Sequence, residues 1–87
     1  MNIKYSEKAE KQLKKIFKGN RQAALVIMNT IEAYGNNPSG NFSVKLLRGK
    51  YGIFKRLRVG NYRIIFDDAG NVMVIYEIKH RQEAYHD

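Results

Sequence analysis

Apolar residues recur at helical spacing in the first half of this chain and at every second position in the latter part. Residues 2–5 (NIKY) alternate and predict a short strand. Ser6 has the chemistry of an N-cap, with Glu7 and Glu10 near the positive end of the helix that follows. Ala9, Leu13, Ile16 and Phe17 fall at i, i+4, i+7 and i+8, which predicts an amphipathic helix over 7–18 ending at Gly19. Its opposite face carries Lys8, Lys11, Lys14, Lys15 and Lys18. Asn20 is placed to cap a second helix with apolar positions Ala24, Leu25, Ile27, Met28, Ile31 and Tyr34, closed by Gly35. Two helices joined by so short a turn form an antiparallel hairpin whose apolar faces need a sheet to cover.

Residues 35–43 (GNNPSGNFS) read as loop, and the period then becomes two. Residues 44–47 begin a strand that RGKYG interrupts; 53–59 and 62–67 predict strands joined by a turn at Gly60-Asn61. Asp68-Ala69-Gly70-Asn71 is a hairpin turn whose adjacent acids read as solvated. Residues 72–79 (VMVIYEIK), nearly continuous in apolar character, predict a strand central in the sheet. The expected fold is α+β: a short N-terminal strand, an antiparallel helical hairpin on a mostly antiparallel sheet (β-α-α-β-β-β), and a short polar tail, all in one domain over 1–87. One stretch resists this pattern. Alternation through 53–58 puts Lys55 between Ile53 and Leu57 and leaves Phe54 among arginines, so either a bulge shifts the register near 54–55 or the sheet end there is open to a ligand. We favour the bulge.

Composition narrows the function. With 44% hydrophobic residues the chain is globular, and without cysteine it has neither a disulfide framework nor a thiolate metal site, which fits a cytoplasmic location. No window approaches a membrane span, and the N-terminus lacks the apolar run of a signal peptide. Sixteen Lys and Arg against eight Asp and Glu give a net charge of +8. The excess is segregated: no acid lies between Glu32 and Asp67, while Lys45, Arg48, Lys50, Lys55, Arg56, Arg58 and Arg63 all do. Segregated charge predicts a polyanion-binding surface rather than a face that is merely solvated.

The residues offer no metal-ligand cluster, phosphate loop or nucleophile elbow, so no cofactor is expected. What they do offer is arginine, lysine, tyrosine and histidine. That set suits RNA cleavage, in which the substrate's ribose 2′-hydroxyl is the nucleophile and the protein aligns it, steadies charge on the phosphate and moves protons. Arg56 and Arg58 share a strand face, Arg63 follows the turn, and His80 and Arg81 leave the last strand four residues before Tyr85. If 80–86 make a helical turn, Arg81 and Tyr85 share a face. A structural salt bridge to Asp67 or Glu77 is the plain alternative for Arg63, and packing of the tail is the alternative for Tyr85.

The runs K-L-L-R-G at 45–49, R-L-R-V-G-N-Y-R-I-I-F at 56–66 and I-K-H-R-Q-E-A-Y at 78–85 resemble the RelE/ParE toxin superfamily of type II toxin–antitoxin systems. The terminal H-R-x-x-x-Y is similar to the RelE-like mRNA interferase branch in particular. That resemblance implies a translation-inhibiting, metal-independent endoribonuclease that cuts mRNA in the ribosomal A site and leaves a cyclic phosphate. It matches Arg63 and Arg81 to the family's phosphate and transition-state arginines, Tyr85 to the terminal tyrosine that stacks on or orients the substrate, Arg56 to a basic position that stabilises charge, and His80 to a general acid or base. Lys11, Lys14, Lys15, Lys45, Arg48, Lys55 and Arg58 are then expected to bind RNA or ribosome. Phe54 stands where the family pattern has a lysine, which Lys55 replaces if a bulge turns it into the groove. The resemblance also implies an acidic, RelB-like cognate antitoxin, with DNA bound only through it. Two rivals share the fold: a ParE-like inhibitor of DNA gyrase and a non-catalytic RNA- or ribosome-binding module.

Overall fold

The structure is a computed structural model that describes residues 1–50 and 52–83. Its elements are β1 (Asn2–Tyr5), α1 (Glu7–Gly19), α2 (Arg21–Asn36), β2 (Val44–Gly49), β3 (Gly52–Val59), β4 (Tyr62–Asp67) and β5 (Val72–His80). Both helix starts are capped by the expected side chains. Ser6 Oγ accepts from the Ala9 N–H at 3.0 Å, and Asn20 Oδ1 accepts from the Ala23 N–H at 3.1 Å. One element differs at its end. Gly35 does not close α2 but lies buried inside it, where a Cβ would come within 3.0 Å of Ile3 Cδ1. Its lack of a side chain serves close packing against β1, and the helix runs one residue further.

The five strands form one sheet in the order β1-β5-β4-β3-β2. β1 pairs parallel with β5, and the remaining neighbours are antiparallel. The segment expected to break after 47 pairs without interruption from Val44↔Leu57 to Gly49↔Gly52, so β2 is a full edge strand. β5 is interior as expected, although the middle position belongs to β4. The β3–β4 turn uses Gly60 at φ 56° and the β4–β5 turn Gly70 at φ 78°, a region that side chains disfavour.

Leu57, Ile64, Phe66, Met73, Ile75 and Ile78 bury one sheet face against Ala9, Ile27, Ile31 and Tyr34 of the helical hairpin. α1 also closes a gap at the sheet edge. β1 accompanies only the first part of β5, and beyond it Gln12 Oε1 accepts the Ile78 backbone N–H at 2.7 Å. A side chain thereby completes hydrogen bonding that a neighbouring strand would otherwise supply.

The expected bulge at 54–55 is absent. Register is continuous through Lys55↔Leu46 and Lys55↔Phe66. The irregularity lies instead between β4 and β5, where Ile65 pairs with Glu77 and Phe66 with Ile75, which leaves Tyr76 as the extra residue. Lys55 does sit on the aliphatic face, and a half-buried carboxylate receives it there.

Candidate nucleic-acid interface

Residues directly opposite on paired strands share a face, and successive residues alternate between faces. Leu57, Ile64 and Ile78 lie in register under the helices. The next row along, Arg58–Arg63–Lys79, therefore crosses β3, β4 and β5 on the uncovered face. Two residues back, Lys45–Arg56–Ile65–Glu77 forms a second row on that face. Like charges set directly opposite cost stability. A row of three cations is consistent with a polyanion ligand, whose negative charge would offset the repulsion.

The turn between β3 and β4 gathers further groups. Arg63 Nη1 donates to the Gly60 and Tyr62 carbonyls, each at 3.0 Å. The Arg81 backbone N–H donates to the Asn61 carbonyl at 2.6 Å. Arg63 and the segment that begins at Arg81 are thus anchored on one turn. Tyr85 and His86 lie outside the described residues.

Glu77 is an acid within this basic face. One carboxylate oxygen pairs with Lys79 at 3.5 Å, and the other pairs with Lys8 of α1. Burial works to raise its pKa, but the two lysines prevail and hold it below the usual glutamate range.

Lys55 belongs to the other face. Its Nζ meets Asp68 Oδ1 at 2.8 Å, and the Tyr34 hydroxyl donates to Asp68 Oδ2 at 2.7 Å. The expectation that Lys55 replaces the missing lysine in the groove is overturned: no bulge turns the strand, so the side chain points beneath the helices. Asp68 is likewise no solvated turn acid, since its side chain keeps only 10% of its exposure. Burial pushes its pKa up, while the bonds from Lys55 and Tyr34 outweigh burial and leave it lowered. The bond to Asp68 raises Lys55 against the opposing effect of burial. Tyr34 is raised by burial first and then by Asp68.

His80 is also parted from the arginines. It pairs with Tyr62 on the helix side, ring centroids 5.3 Å apart and edge to face, and its Nδ1 accepts the Gln82 N–H at 3.3 Å. It lines two adjoining cavities of about 460 and 260 Å³ at the end of the helical hairpin, the larger also bordered by Lys15. Strand alternation at β5 is the reason, because Lys79 takes the uncovered face and its neighbour must take the other. Arg48 pairs with Ile53 and so sits on the helix side of edge strand β2, away from Arg56. Lys11 and Lys14 are exposed on α1, and Lys11 pairs with Glu7 at 3.3 Å.

Two features escaped sequence reasoning. Lys79 completes the row of cations, a place it reaches only through the one-residue slip between β4 and β5. Phe54 and Tyr76 meet edge to face, centroids 5.5 Å apart, over the uncovered side of Ile65. No sequence pattern announced that pair, because it depends on the bulge.

Among the described residues no group of three or more His, Asp and Glu could hold a metal, and no helix is long and apolar enough to cross a membrane.

Comparison with known proteins gives a consistent result. The family model described as "ParE toxin of type II toxin-antitoxin system, parDE" matches residues 3–85. No curated protein matches the chain in sequence. Among solved structures, the YoeB dimer from Staphylococcus aureus superimposes with a TM-score of 0.77 at 17% identity, over 92% of this chain and 95% of that one. The archaeal RelE–RelB complex from Pyrococcus horikoshii gives 0.72 at 21% identity, over 92% and 93%. The RelB–RelE antitoxin–toxin complex from Methanococcus jannaschii gives 0.65 at 24% identity, over 95% of each chain. At these identities the likeness is one of fold.

Proposed function

This chain belongs to the ParE toxin family of type II toxin–antitoxin systems, and on that premise we propose that it is a metal-independent endoribonuclease that cuts ribosome-bound mRNA and stops translation. The observation that carries the reading is the Arg58–Arg63–Lys79 row on the uncovered sheet face, with Arg81 anchored beside Arg63 on the same turn. A guanidinium stays charged at any physiological pH and offers a planar fork that suits phosphate oxygens.

In this mechanism the ribose 2′-hydroxyl attacks the adjacent phosphorus, the bond to the 5′-oxygen of the next nucleotide breaks, and a cyclic phosphate remains. Negative charge grows on the non-bridging oxygens, and fixed cations aimed at it lower the barrier. Arg63 and Arg81 take that role, while Arg56, Arg58 and Lys79 hold the flanking phosphates. Lys45, in register with Arg56, extends the binding track. Tyr85 supplies a ring for an unstacked base. His80 acts through Arg81 as a positioning residue, since its ring packs on Tyr62 and fixes where the chain leaves β5.

Solved relatives named as RelE–RelB complexes support a cognate antitoxin as partner. For a toxin of charge +8 an acidic antitoxin is the complementary choice. Operator DNA would then be bound through the antitoxin, and the place of action would be the cytoplasm, where ribosomes are.

Primer extension on a translated message, with purified protein and ribosomes, tests the reading. Cuts at fixed codon positions are expected. The name of the matched family favours a second reading, inhibition of DNA gyrase by protein contacts alone. Gyrase-dependent DNA breaks without mRNA cuts would establish that instead.

A further inference from the structure

The uncovered face holds a cavity that the arginine chemistry does not use. It measures about 440 Å³, within the range of roughly 300–1,000 Å³ typical of small-molecule sites, and is lined by Lys8, Phe54, Ile65, Tyr76 and Glu77. We propose that it is a nucleobase subsite, in which an unstacked guanine lies against the Tyr76 ring and presents its Watson–Crick donors to Glu77. The inference rests on RNA being the polyanion that the adjoining cations receive.

The bulge builds the site. Strict alternation sends consecutive side chains to opposite faces, yet Tyr76 and Glu77 line one cavity. The extra residue in β5 permits this, and the Tyr76 carbonyl is occupied by the Ser6 hydroxyl at 2.8 Å. Bulges commonly re-aim a side chain toward a functional site. Tyr76 meets the Phe54 ring across Ile65, which forms an apolar floor, and Tyr76 stays 38% exposed. A partly exposed aromatic pair is poorly placed to stabilise the core but well placed to receive a flat ligand.

Position relative to the cations identifies the ligand. Glu77 lies two residues along β5 from Lys79, ~7 Å at strand spacing, a span that a nucleotide covers between its phosphate and its base. With phosphates on the Arg58–Arg63–Lys79 row, a neighbouring base reaches the aromatic floor. Glu77 itself repels phosphate, so the group beside it must be a hydrogen-bond donor. It remains ionised because Lys8 and Lys79 flank it, and a carboxylate with about four acceptor positions keeps some open beyond those two.

A carboxylate accepts and never donates. Guanine is the one standard base whose Watson–Crick edge sets two donors, N1–H and N2–H, side by side. Adenine and cytosine place a ring acceptor beside their amino group, and uracil flanks its single N–H with carbonyls. Those bases would turn a lone pair toward the second carboxylate oxygen.

The test uses the full chain and four single-stranded RNA hexamers, UUGUUU, UUAUUU, UUCUUU and UUUUUU. Affinities are measured by anisotropy, and the Tyr76 and Phe54 ring resonances and the Arg58 and Lys79 backbone amides are followed by NMR. The guanine hexamer should bind about tenfold more tightly than the uracil one, with Tyr76 shifting on titration. Glu77→Gln should level the four affinities. Tyr76→Leu should weaken all four on the order of tenfold, and Tyr76→Phe should restore them, which separates stacking from folding. Equal affinities with shifts at Arg58 and Lys79 but none at Tyr76 would overturn the subsite and leave RNA binding standing. Failure of every hexamer to bind at low salt would overturn both.

Discussion

Arg58 and Arg63 stand directly opposite each other across β3 and β4, on the sheet face that the helices leave uncovered. Such a like-charge pair costs about 0.2–1 kcal/mol, and Lys79 extends it to a third strand. Arg58→Ala should therefore leave the unfolding free energy unchanged or slightly raise it, while weakening single-stranded RNA. Loss of one phosphate contact should also flatten the slope of log affinity against log salt by about 0.7. Urea unfolding and a salt series of binding curves measure the two effects. A variant destabilised with its salt slope intact would count against this role for the row.

The two arginines on the Gly60-Asn61 turn differ in what they hold. Arg63 Nη1 bonds two carbonyls, so Arg63→Ala should cost roughly 1 kcal/mol of stability as well as toxicity. Arg81 reaches the turn through its backbone, which Arg81→Ala retains. Both variants should lose killing on expression and keep antitoxin binding, as growth curves and co-purification will show. A fully toxic double variant would remove the nuclease reading.

Asp68 makes the fold acid-sensitive in a definite window. Its folded pKa lies below the ordinary value of 3.8, so its stabilisation is complete above that value and is lost as pH falls through the depressed one. Glu77, ordinarily 4.5 and also lowered, acts in the same direction. Lys55, raised above 10.5, contributes fully below that pH and less as pH rises through its folded value. Thermal melts from pH 7 to 2 should show Tm falling in the acid limb, and Asp68→Asn should flatten that limb. At pH 7 this variant should lose roughly 1–3 kcal/mol, because asparagine keeps one acceptor oxygen but carries no charge, and Lys55 or the Tyr34 hydroxyl then faces a donating NH2 group. An acid limb identical to that of the unaltered protein would rule out the role.

Gln12 offers a test of how α1 is docked. Gln12→Leu preserves bulk but leaves the part-buried Ile78 N–H without its acceptor, at a cost of about 1–3 kcal/mol. Hydrogen exchange should then accelerate at Ile78 more than at Ile64 in the sheet centre. Unchanged protection at Ile78 would mean that α1 is held by its apolar face alone.

Much of the fold was legible because its signals are local. Ser6 and Asn20 cap helices through bonds to residues three positions on, and Gly60 and Gly70 turn the chain where positive φ is needed. The periods of the apolar residues assign the elements, and turns this tight bring Arg56, Arg58 and Arg63 onto one face. The misreadings share a different cause. Asp68 looks solvated beside Asp67 until Tyr34, 34 residues earlier in the chain, is packed over it. Gly35 looks like a helix stop until Ile3 is laid against it.

By itself, then, the order of residues determined the helices and strands, the basic character of the middle of the chain, and the arginines that alternation aligns. Tertiary structure alone decided the rest. It sent Lys55 beneath the helices, turned His80 from the arginine face, set Lys79 in line with Arg63, and brought Tyr76 to Phe54 over a bulge. Periodicity tells which residues share a side of one strand. Strand order and a one-residue slip between strands tell which sides meet, and those arise from pairing between segments that no local pattern encodes.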